Sequence, residues 1–116
     1  MTAHYRLPRR EAPPLFWELF CGEFLALTRP QIDAWWQALA RARWSAPVAL
    51  RESLRCRAAL GTVQGPVRHF VTTTIAPALL IGVLEDLIHE QLLPPATARA
   101  IEQAVLNKTH KSGLWV

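Results

Sequence analysis

The sequence predicts an all-α protein, a compact bundle of five or six helices around a central apolar helix at about residues 75–93. Three observations carry that prediction. Apolar residues recur at three- and four-residue steps in successive segments. Proline, with threonine or serine beside it, stands where helices would begin. The fifteen residues 70–84 carry no charge, yet they fall short of the roughly 20 that cross a bilayer, so protein must cover them. In a chain of 116 residues one such element uses much of the core, and part of it is expected to lie under a second subunit or a partner.

Residues 1–12 are polar, basic and aperiodic, and are expected to form a mobile arm ahead of a single helical domain at 13–116. Pro13 and Pro14 preset the first turn of a helix whose apolar face is Leu15, Phe16, Leu19, Phe20, Phe24 and Leu27. Gly22 weakens that helix or marks a close approach. Thr28, Pro30 and Gln31 read as a capping box at the start of a second helix, running to about Arg43 with Ile32, Trp35, Trp36, Leu39 and Ala40 on one face. Ser45 and Pro47 repeat that logic for a third helix through Val48, Leu50, Leu54 and Ala58, ending before Gly61.

Gly61 to Gly65 reads as a loop, and residues 67–75 suit helix better than strand although β-branched residues are frequent there. Pro77 forces a kink or a restart. Beyond it Leu79, Leu80, Val83, Leu84, Leu87 and Ile88 repeat helically to about Leu93, and Pro94 and Pro95 open a last helix through Ala98, Ile101, Ala104 and Val105.

Charge is uneven along the chain. The formal net charge is +4, and six arginines between Arg41 and His69 face a single acid, Glu52. Residues 70–106 hold four acids against Arg99 alone. Eleven of the thirteen basic residues are arginine, which suits bidentate contact with phosphate or carboxylate and stacking on aromatic rings. The expected partner therefore has an acidic or apolar surface, or is nucleic acid.

No catalytic signature is legible. The four histidines are scattered, there is no Gly-rich phosphate loop, and no CxxC pair is present. Glu85 and His89 stand one turn apart, but no second helix offers a matching pair, so an internal Glu85–His89 pairing on a solvated stripe is expected. Cys21 and Cys56 read as quiet thiols in a reducing cytoplasm. No catalytic, metal or cofactor residue is assigned.

These features together point to a small non-enzymatic regulatory or adaptor protein of the antiactivator, inhibitor or chaperone type. It is expected to be a homodimer that docks on another protein through Trp35, Trp36, Trp44, Trp115, Arg41 and Arg43. The alternative is a basic nucleic-acid-binding module, or the small subunit of a nucleoprotein complex, contacting phosphates through Arg41, Arg43, Arg51, Arg55 and Arg57. The pair of helices either side of residue 44 resembles a helix-turn-helix only weakly, because few amide side chains are placed to read bases.

Overall fold

A computed structural model describes residues 12–42, 45–60 and 77–112, with side chains described for 12–42, 47–55 and 79–107. The expected arm at 1–12 and the helix-or-strand segment at 67–75 lie outside these bounds, apart from exposed Ala12. The described residues form five helices: α1 at Leu15–Glu18, continued by a π-helical turn at Leu19–Phe24, α2 at Arg29–Arg41, α3 at Ser45–Leu60, α4 at Pro77–His89 and α5 at Pro95–Ser112. None is long and apolar enough to cross a membrane.

Pro14 caps α1 from outside it, being extended at φ −68° and ψ 159°, one step later than the sequence suggested. Its carbonyl accepts from the amides of Trp17 and Glu18 at 3.0 and 3.1 Å. The wider π turn then rotates successive side chains by less than an α-helix does. Phe16, Trp17, Phe20, Cys21 and Leu25 share the inner face and are all buried. Leu15, expected inside, is 58% exposed. The chain leaves α1 through Ala26 at φ 59°, which a residue with a Cβ adopts only at a cost.

The capping box at the head of α2 forms as the sequence predicts. The Thr28 hydroxyl accepts from the Gln31 amide at 3.4 Å, and the Thr28 amide donates to the Gln31 side chain at 2.9 Å. Ala42 is extended, so α2 stops at Arg41, two residues before the expected end. In α3, Pro47, Leu50 and Leu54 are buried, which places Val48 off the stripe and 41% exposed.

α4 begins at Pro77 and buries Leu80, Val83, Leu84 and Leu87 at helical spacing, while Leu79 is 45% exposed. It ends at His89, not Leu93. Gln91 adopts φ 62°, and the Leu92 and Gln91 amides donate to the carbonyls of Leu87 and Ile88, both at 2.9 Å. That bonding is a Schellman cap with glutamine in the position usually held by glycine. α5 then returns along α4, burying Ala98, Ile101 and Val105.

The buried apolar residues of all five helices belong to one cluster. α4 packs chiefly on α5, while α2 touches α3, α5 and the π turn, and α1 packs on α3. The bulkiest buried side chains, Trp17, Trp35 and Trp36, belong to α1 and α2.

Candidate protein-docking surface

Trp35 and Trp36 are 0% exposed, as is Trp17. This corrects the expectation that the first two anchor a partner. Neighbours on a helix diverge by about 100°, so burying both requires cover on more than one side, and α2 has neighbours in the π turn, α3 and α5. Trp17 is the missing piece of this cluster. Its ring lies 4.7 Å from that of Trp35, edge to face, and 5.6 Å from that of Trp36, within the range of favourable aromatic pairs. Trp17 stands three, four and seven residues before Phe20, Cys21 and Phe24, the spacing of one helical face, so its place in the core is readable from the sequence.

The indole Nε1 atoms of Trp17, Trp35 and Trp36 find no acceptor among the described residues. Each such donor costs about 1–3 kcal/mol when it is cut off from water. Cys21 packs in the same core and is fully buried, which pushes its thiol well above the usual range despite the nearby Arg29. A thiol held neutral in this way is inert.

The arginines lie outside this cluster. Arg41 is exposed at the end of α2, where a cation complements the helix dipole. Arg51 of α3 is half-buried, its guanidinium carbon 5.3 Å from the Trp36 ring centroid, a cation–π distance. One turn on, Arg55 Nε lies 3.9 Å from Glu52 Oε2. The structure thus brings Arg51 and Arg55 onto one side of α3, with exposed Val48 one turn before them. Arg43, Trp44 and Trp115 lie outside the described residues, and the side chain of Arg57 is likewise outside.

Elsewhere the charges are spent within the fold. Arg29 forks onto the Glu18 carboxylate at 3.1 and 3.3 Å and reaches Asp33 at 2.9 Å, tying α1 to α2. Donating hydrogen bonds to Asp33 and then to Glu18 raises the Arg29 pKa. Glu85 accepts from Arg99 of α5, which also bonds Glu102 at 2.8 Å. The partner of Glu85 is therefore Arg99, not the expected His89. Hydrogen bonding to Arg99 holds the Glu85 carboxyl below its ordinary value and raises that of Arg99. Among the described residues no group of three or more histidine, cysteine or acidic side chains is placed to hold a metal.

No known protein family, curated protein or solved structure matches this chain.

Proposed function

We propose that this protein is a small non-enzymatic regulator or adaptor that binds another protein through the arginine-bearing face of α2 and α3. The observation that carries the reading is Arg51 held over the buried Trp36 ring. A guanidinium already ordered on an aromatic platform loses less freedom when it meets a carboxylate than one swinging in solvent. Arg55 lies one turn from Arg51 on α3, exposed Arg41 adds a cation at the end of α2, and Val48 adds exposed apolar area one turn before Arg51. Glu85, Asp86 and Glu102 on α4 and α5, and Glu90 between them, outnumber Arg99 and give that side of the described surface the opposite sign, so an acidic partner is steered to one side.

In this reading the protein works in the cytoplasm as a homodimer, covering a surface its partner needs, as an antiactivator, inhibitor or chaperone does. Self-association is supported by Leu79 and Leu106, 45% and 40% exposed on the α4–α5 hairpin. Affinity capture from the native host, with the wild-type chain and an Arg41→Glu/Arg55→Glu double variant, tests the proposal. The wild type retains a specific host protein and the equally folded variant loses it. Retention by both, or no protein held by either, contradicts the proposal. A complex with duplex oligonucleotide that weakens steeply as salt rises would transfer the same arginines to phosphate contacts.

A further inference from the structure

We infer that α1 and its π turn form a replaceable cover over a Trp35–Trp36 platform, and that an amphipathic helix of the partner protein takes their place. The inference rests on the protein-binding reading above and adds a second, latent contact to it. Several observations of different kinds converge on this one element. Its backbone departs from α-helical bonding at Leu19–Phe24, and π turns are frequent at functional sites. It connects to α2 through left-handed Ala26, a strain that the surrounding structure must hold in place. It covers Trp35 and Trp36 without offering an acceptor to either indole N–H. Its polar tie to α2, Glu18 with Arg29, is exposed to solvent.

The apolar area involved decides what the replacement must be. Phe16, Trp17, Phe20 and Cys21 are all buried, so α1 does not leave without another apolar face arriving. A helix of equal apolar area exchanges with little net change, and one with a glutamine, asparagine, serine or threonine at the position of Trp17 also satisfies donors that α1 leaves unmet. The Glu18–Arg29 pair shows where the incoming helix carries its carboxylate. Release also frees Ala26 from its left-handed conformation.

The probe is a fluorescein-labelled peptide of residues 13–27, titrated into the full chain by anisotropy, with a scrambled peptide as control. Three chains are compared: wild type, Ala26→Gly, which relieves strain in the covered state, and Leu19→Ala, which loosens a half-buried contact of the cover. The peptide binds saturably, several-fold more weakly to Ala26→Gly and several-fold more tightly to Leu19→Ala, and the scrambled peptide does not bind. No saturable binding beyond the scrambled control, or equal affinity for wild type and Ala26→Gly, overturns the inference. Partner capture that depends on Arg41 and Arg55 while the peptide fails to bind sinks the cover and leaves the docking face standing.

Discussion

Gln91 shows how much a single backbone conformation decides. It closes α4 from the left-handed region at φ 62°, where a Cβ costs about 1–2 kcal/mol. Gln91→Gly keeps the two cap hydrogen bonds and removes that cost, so the variant is more stable by about 1 kcal/mol in urea unfolding, after allowing for the greater freedom of glycine in the unfolded chain. Equal or lower stability would mean that the Gln91 side chain holds the cap in some other way. This residue also marks a limit of sequence reading. Without a glycine after His89, the apolar repeat in the sequence runs on to Leu93, and only the folded turn shows where it breaks. Trp17 is a different case, at helical spacing from Phe20, Cys21 and Phe24 and central in the core, yet easily passed over because it also adjoins Glu18. Thr28 and Gln31 are the opposite case: their spacing alone specifies both hydrogen bonds of the cap, because a capping box is a local device.

The elements themselves were legible wherever a local signal existed. Proline with threonine or serine located the starts of α2 and α3, and Pro77 and Pro95 are the first residues of α4 and α5. Pairing between elements was not legible by the same means. Glu85 and Arg99 each stand seven residues from Leu92, so a tight antiparallel hairpin brings them together, but that symmetry has meaning only once the turn is fixed. Their bond makes a pH prediction for the hairpin. Arg99 lowers the Glu85 pKa in the folded protein, so the stabilisation is complete above the carboxyl's unfolded value and is lost as pH falls through the lower folded one. Glu85→Gln therefore flattens the acid limb of a thermal-stability profile below about pH 4.3. Both groups are half exposed, so added salt shrinks the difference. Profiles of unchanged slope would show that the pair contributes nothing to folding.

For the whole molecule, the all-α class follows directly from periodicity and caps, because each signal is local and they agree with one another. How many neighbours a helix acquires is a property of the assembled bundle. α2 packs on α3, α5 and the π turn and meets α1 through Trp17, and this is why adjacent Trp35 and Trp36 are both core residues although aromatic surplus in so short a chain suggested exposed anchors. In the proposed function, recognition therefore falls to arginines among the described residues, with buried Trp36 beneath Arg51. The large exposed apolar residues Leu15, Val48, Leu79 and Leu106 are spread over α1, α3, α4 and α5 among the described residues, so charge asymmetry is what distinguishes the α3 side from the rest. The measurement that reaches this claim most directly is amide hydrogen exchange of the chain with and without its captured host partner. Added protection at residues 47–55 of α3 and at the Arg41 end of α2 is the predicted footprint; protection confined to α4 and α5, with α3 unchanged, would contradict it.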